Sequence, residues 1–205
     1  MPSHFRNSAM ANAAQPSLHA YLEESITVLR RTIERLPEAD MAGAVAAIAT
    51  ALGGNRALLV CGNGGSAADA EHITGELVGR FLKERRALKA ICLTGTPAVL
   101  TAWANDYSYE TVFSRQVEAY GEPGGVLLGL STSGNSPNVV AAFRAAKECG
   151  MTTIALTGEG GGRLNGLADI LLAVPSRHTP LIQQAHLCLY HHLCERVEAA
   201  LTPAA

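Results

Sequence analysis

Four hydroxyl side chains fall within six consecutive residues, Ser131-Thr132-Ser133-Gly134-Asn135-Ser136, directly ahead of Pro137. Ser136 reads as a helix N-cap and Pro137 as the first helical residue. One hydroxyl therefore has a capping role and the other three do not. A dianionic phosphate offers only acceptor oxygens, so a ring of neutral donors at the positive end of a helix suits it. A second loop, Gly62-Asn63-Gly64-Gly65-Ser66-Ala67, also leads into a helical segment. It contains G-x-G-x-x-A, yet the next strand candidate lacks the acidic residue of a dinucleotide fingerprint, and the chain has no Gly-Lys-Ser/Thr. Alone, this loop is equally a tight turn capped by Ser66. Together the two loops point to a clamp for the phosphate of a small molecule, built without Lys or Arg.

The ionisable candidates lie on helices. His72 and Glu76 are four residues apart, hence on one face, and Arg80 continues the row. Such a pair can bind a transition metal, move a proton, or simply form a surface hydrogen bond. The last helical segment offers Gln183, His186, His191 and His192. Gln183 and His191 are about 80° apart around a helix and ~12 Å along it. They could meet one ligand only by leaning together, or if two copies of the helix contribute. The basic run Arg80, Lys83, Arg85, Arg86, Lys89 reads as a solvated helix end and loop, and Asn105-Asp106-Tyr107 as an Asx-rich loop after a helical turn.

The elements that must position these residues follow from apolar patterning. Helical spacing runs from Leu18 to Leu36 and again from Ala39 to Leu52, predicting an N-terminal helical hairpin that breaks at Pro37 and ends at Gly53-Gly54. Thereafter strand candidates (Ala57–Cys61, Ala87–Leu93, Gly125–Leu130, Thr152–Thr157, Ile170–Val174) alternate with helices. The helices are expected at Ser66–Leu82, Tyr109–Ala119, Pro137–Cys149 and Ile182–Leu201, with short turns near Pro97–Ala104 and Arg163–Leu167. This order predicts a doubly wound α/β domain, a five-stranded parallel sheet flanked by helices, with ligands at the carboxyl ends of strands. Residues 1–16 are expected to form a flexible tail and residues 17–205 a single domain.

Composition narrows the partners. The 205 residues are 48% hydrophobic and carry a formal charge of −2, so a nucleic-acid partner is not expected. No apolar run approaches the ~20 residues of a membrane helix, and no signal-peptide core is present. The expectation is a soluble, cytoplasmic protein. The five cysteines have no C-x-x-C spacing and are expected to be buried free thiols in a reducing compartment.

Taken in order, Gly62-Asn63-Gly64-Gly65-Ser66-Ala67-Ala68-Asp69-Ala70, Glu71-His72-Ile73-Thr74-Gly75-Glu76, Asn105-Asp106-Tyr107, Ser131 to Ser136, Ile182-Gln183 and His191 closely resemble the phosphoheptose isomerase family of the SIS phosphosugar-binding superfamily. The resemblance covers about residues 18 to 200. It implies the SIS fold, a homotetramer with interfacial active sites, one zinc ion per subunit and isomerisation of a phosphorylated seven-carbon sugar. It also implies roles. Ser66, Ser131, Thr132, Ser133 and Ser136 hold phosphate; Asn63, Gly64, Gly65, Asn105, Asp106, Glu76 and Gln183 bind the sugar. Glu76 and His191 form the catalytic pair, and His72, Glu76, Gln183 and His191 are the zinc ligands. Two other readings are an isomerase of another phosphosugar, and a related SIS protein that binds the bacterial replication initiator without catalysis. The latter lacks the acidic residue and the histidine at the Glu76 and His191 positions, and this chain has both.

Overall fold

The computed structural model describes residues 17–202, so the tail expected over residues 1–16 lies outside the described residues. Strands β1 (Leu58–Gly62), β2 (Ala90–Cys92), β3 (Val126–Ser131), β4 (Thr152–Thr157) and β5 (Ile170–Ala173) form one sheet in the order β2-β1-β3-β4-β5. Every pairing is parallel. Helices α1 (Leu18–Arg35), α2 (Glu38–Gly53), α3 (Gly65–Val78), α4 (Pro97–Asp106), α5 (Val112–Tyr120), α6 (Pro137–Glu148) and α7 (Thr179–Leu201) surround it. The doubly wound sheet and the two N-terminal helices are as expected, although α1 and α2 each pack against α7 rather than chiefly on one another.

Strands β1 and β3 are buried along their whole length, because helices cover both faces of a parallel sheet. Successive residues feed opposite layers. Leu58 and Val60 pack with Ile73, Leu77, Tyr190 and Leu193 on one face. Leu59 and Cys61 pack with Phe113, Val140 and Phe143 on the other. The strand order reverses at β1, with β2 on one side and β3 on the other. The carboxyl ends of β1 and β3 are therefore neighbours, paired through Gly62 and Leu130. This is the switch point where such sheets bind ligands.

Helix α3 ends at Val78, short of the expected Leu82; in the basic run that follows, Arg80, Lys83, Arg86 and Lys89 are exposed as expected, but Arg85 is not. The Arg85 side chain is 2% exposed and lies 3.3 Å from the Glu198 carboxylate, itself 1% exposed. Glu198 also accepts the backbone N–H groups of Phe81, Leu82 and Lys83 at 2.9, 2.7 and 2.8 Å. Arg85 donates to the carbonyls of Glu76 and Gly79, and Arg86 to that of Leu52. Edge strand β2 keeps only three of its seven expected residues; Lys89 turns instead to the Glu122 carboxylate at 2.8 Å. The expected turn at Pro97–Ala104 is a full helix whose last two residues are Asn105 and Asp106, so these are not in a loop. All five cysteines are free, but only Cys61 and Cys194 are buried; Cys188 is exposed.

His186 is buried in this core, its Nε2 donating to the Thr157 carbonyl at 3.1 Å. Burial, partly opposed by that hydrogen bond, brings its pKa from 6.5 down to about 4. Between those values the unfolded chain binds the extra proton, so stability present above pH ~6.5 is lost as pH falls through ~4, by about 3 kcal/mol from this group. The urea midpoint should drop between pH 7 and pH 4.5, and His186→Gln, which can still donate to Thr157, should flatten that drop. An unchanged slope in the variant would assign the acid sensitivity to other groups.

Candidate active site

The two hydroxyl loops meet at the switch point. Neither α3 nor α6 carries a side-chain cap, so the positive ends of both helices face the loops without a built-in acceptor. Gly64 opens α3 with φ +57°, a left-handed conformation that glycine adopts without strain, and Ser66 is buried inside the first turn. Ser136, expected as a cap, turns its hydroxyl to that of Ser131 at 2.9 Å instead. Ser133 is exposed and its Oγ accepts the Asn135 N–H at 3.1 Å. Gly134 (φ +65°) lies against the Gly161 carbonyl, where no side chain fits. A cleft lined by Thr132, Ser133, Asn135, Glu159, Ser176 and Arg177 opens beside this loop.

A reciprocal amide pair ties the loops together. Asn63 Nδ2 donates to Asn138 Oδ1 at 2.8 Å, and Asn138 Nδ2 donates to Asn63 Oδ1 at 2.9 Å. Tyr109 Oη–H donates to the same Asn63 oxygen at 2.9 Å. Sequence reasoning missed Asn138, which is 2% exposed; an amide in the first turn of an otherwise apolar helix face was its only signal. Asn105 and Asp106 are exposed and bonded to one another at 3.0 Å, with no hydrogen bond to either loop.

Helices α3 and α7 run side by side in the same direction, and their facing residues form the second half of the site. His72 Nε2 lies 3.1 Å from Glu76 Oε1 and 3.4 Å from His191 Nε2. One ligand atom from each of the three residues lies within 4.8 Å of the others. Donors around a tetrahedral zinc with bonds of ~2.0–2.1 Å stand roughly 3.3 Å apart, so the spacing and the His/carboxylate chemistry both fit this ion. Phe81 stacks on His191 with ring centroids 5.6 Å apart.

Gln183 lies elsewhere in the same chain. Its Nε2 is 2.5 Å from where a Cβ on Gly65 would stand, about 10 Å up α3 from His72. Three of the four residues implied as metal ligands thus converge within one chain. Arg80 leaves the row for an exposed pair with Glu84 at 3.1 Å, and His192 faces a groove between α1, α2 and α7.

Two further residues belong to this cluster. Tyr190 Oη lies 3.0 Å from His72 Nδ1 and 3.3 Å from Asp69 Oδ1. Burial raises the Asp69 pKa against the opposing pull of Tyr190 and His72. Burial and the adjacent Asp69 push the Tyr190 phenol far above its usual range. Asp69 sits three residues before His72 in the helical row and could have been found by that spacing.

The SIS domain family matches residues 20–158, which include both loops, His72 and Glu76 but stop before α7. Over 193 residues the chain is 49% identical to the phosphoheptose isomerase of Bradyrhizobium sp., covering 94% of this chain and 98% of that protein. The solved structure of phosphoheptose isomerase from Neisseria gonorrhoeae matches with a TM-score of 0.82 and 41% identity, covering 87% of this chain and 96% of that one. That from Francisella tularensis gives a TM-score of 0.84 and 38% identity over 88% and 96% of the two chains.

Proposed function

Because the chain belongs to the phosphoheptose isomerase family of SIS-domain proteins and is a sugar-phosphate isomerase, we propose that it converts sedoheptulose 7-phosphate to D-glycero-D-manno-heptose 7-phosphate, as the first step of nucleotide-activated heptose synthesis in the cytoplasm. The observation that carries this reading is the convergence of Glu76 and His191 on His72. Ketose–aldose isomerisation moves a proton between C1 and C2 through an enediol, which needs a base beside both carbons and an acid beside the oxygens. The Glu76 carboxylate takes the proton from C1 and returns it at C2. The His191 imidazole exchanges protons with the sugar oxygens. The test is incubation of the purified protein with sedoheptulose 7-phosphate and analysis of the product; absence of the heptose phosphate would overturn the assignment.

Ser66, Ser131, Thr132, Ser133 and Ser136 hold the phosphate in this reading, supported by two uncapped helix starts at one switch point. Asn63, Gly64, Gly65, Asn105, Asp106, Glu76 and Gln183 complete the sugar site. Because the clamp donors are neutral, Ser131→Ala and Ser133→Ala should each weaken substrate binding by about 1–3 kcal/mol with little effect on turnover. KM measured for each variant checks this, and unphosphorylated sedoheptulose should be a very poor substrate. Equal activity on both sugars would remove the clamp from the mechanism.

His72, Glu76 and His191 would hold one zinc ion per subunit, with Gln183 completing the set. When bound, the ion polarises the sugar oxygens and offsets the negative charge that develops on them. Chelator should therefore reduce activity without unfolding the protein, because the α/β core does not depend on the ion. Zinc should restore the activity of the native sequence but not of His72→Ala. Full activity in protein shown to be metal-free would sink the metal assignment and leave the isomerase assignment standing.

A homotetramer with interfacial sites accounts for two otherwise awkward features. Gln183 sits two turns from the metal cluster of its own chain, and Glu76 is ten residues, ~15 Å along α3, beyond the phosphate-loop residue Ser66. The apolar stripe of α1 also points outward, leaving Leu18, Leu22, Ile26 and Ile33 exposed on a face that another subunit can cover.

A further inference from the structure

The Asp69–Tyr190–His72 row is not accounted for by the reading above. Tyr190 is fully buried and has one hydroxyl proton. Asp69 is three residues, nearly one turn, from His72 on α3, and Tyr190 reaches both from α7. With Asp69 ionised, its carboxylate can only accept, and the Tyr190 proton is directed to Asp69 Oδ1. The phenol oxygen must then accept from His72, which puts the imidazole proton on Nδ1. A neutral imidazole has only one N–H, so Nε2 carries a lone pair.

That lone pair faces Glu76 Oε1 at 3.1 Å. A cation seated between the two would bond both atoms, which is the geometry of a shared ligand site. Asp69 supports the same conclusion. Its Oδ2 is buried and has no hydrogen-bond partner, a costly placement for a carboxylate that serves packing alone. As the anionic end of a row that terminates at a cation, the placement has a purpose.

We propose that Tyr190, anchored by Asp69, is a positioning residue that locks His72 in its Nδ1–H tautomer and aims the Nε2 lone pair at the site shared with Glu76 and His191. This deepens, and rests on, the reading of those three side chains as a zinc centre. The Tyr190 ring also fixes both imidazoles from the side, edge-on to His72 at 5.4 Å and to His191 at 5.0 Å. Partners of this kind hold the orientation of a ligating histidine and raise its basicity.

The test is zinc competition against a chromophoric chelator, using full-length metal-free protein. Tyr190→Phe keeps the ring and should bind zinc about 10–100-fold more weakly. Asp69→Asn, a change on a different helix, should also bind more weakly. The double variant should be no weaker than Tyr190→Phe alone, because Asp69 acts through the phenol. A second readout needs no metal: nitrogen-15 shifts of His72 should report protonated Nδ1 and unprotonated Nε2 in the native sequence, and mixed tautomers in Tyr190→Phe. Unchanged zinc affinity in Tyr190→Phe, additive losses in the double variant, or a native His72 protonated on Nε2 would each overturn the proposal. Failure of the native sequence to bind zinc, or undiminished binding by His72→Ala, would overturn the zinc centre itself.

Discussion

Glu76→Gln is expected to lower turnover by at least ~10²-fold, the usual contribution of a positioned general base, while the protein keeps its fold and thermal midpoint. Glutamine matches the shape of glutamate and removes its basicity together with its charge toward the proposed zinc, so zinc content is measured alongside turnover. The Glu76 carbonyl that accepts from Arg85 is backbone and survives the change. In the proposed reading the phosphate is held by the hydroxyl loops at the other end of α3, so KM should move less than kcat. Product formation from sedoheptulose 7-phosphate, measured beside circular dichroism of the same sample, separates lost chemistry from lost structure. Near-native turnover in the variant would mean that another group is the base.

Glu198→Ala should cost about 3–5 kcal/mol of folding stability, the range for removing one partner of a buried ion pair. Burial alone would raise the Glu198 pKa, but three backbone N–H groups and Arg85 hold it below the usual range. Removing the carboxylate leaves the Arg85 guanidinium buried without its counter-charge, and the N–H groups of Phe81, Leu82 and Lys83 without their acceptor. That is a large share of the ~5–15 kcal/mol that stabilises a typical domain. Activity should suffer as well, because Phe81, whose N–H is held by Glu198, stacks on His191. Urea unfolding at neutral pH measures the loss, and a change below about 1 kcal/mol would show that the segment is held by something else.

The same pair explains where sequence reasoning fell short. Buried parallel strands are legible because they are short apolar runs punctuated by glycine, and four of the five lie within a residue or so of expectation. In the run Arg80 to Lys89, Arg85 alone looks like surface without being so, because its partner Glu198 is far off in the chain; Leu82 likewise donates to Glu198 across 116 positions. No local spacing rule reports such a contact. The helical row His72–Glu76 and the hydroxyl loops were legible since each lies within one turn or one loop. Asn138, Tyr190 and the link from Asn63 to Tyr109 were not, because each becomes meaningful only once two separate elements are packed. Ser136 occupies the N-cap position that the sequence indicated, with Pro137 first in α6, but its hydroxyl turns to Ser131 instead of capping the helix.

The side-by-side run of α3 and α7 has a consequence for how the chain folds. Every strand pairing is parallel, so each strand contact closes a long loop before it returns any stabilisation, which slows folding. Helix α7 follows in sequence everything that it covers, and it supplies Tyr190, Leu193, Cys194 and Val197 to one whole layer of the core. During synthesis the layer formed by α2 and α3 therefore stays incomplete until α7 has emerged. In that interval the exposed apolar surface leaves the nascent chain open to aggregation. The helix that brings His191 to His72 is the same one that closes this layer, so the chemistry and the finished core arrive in a single late step.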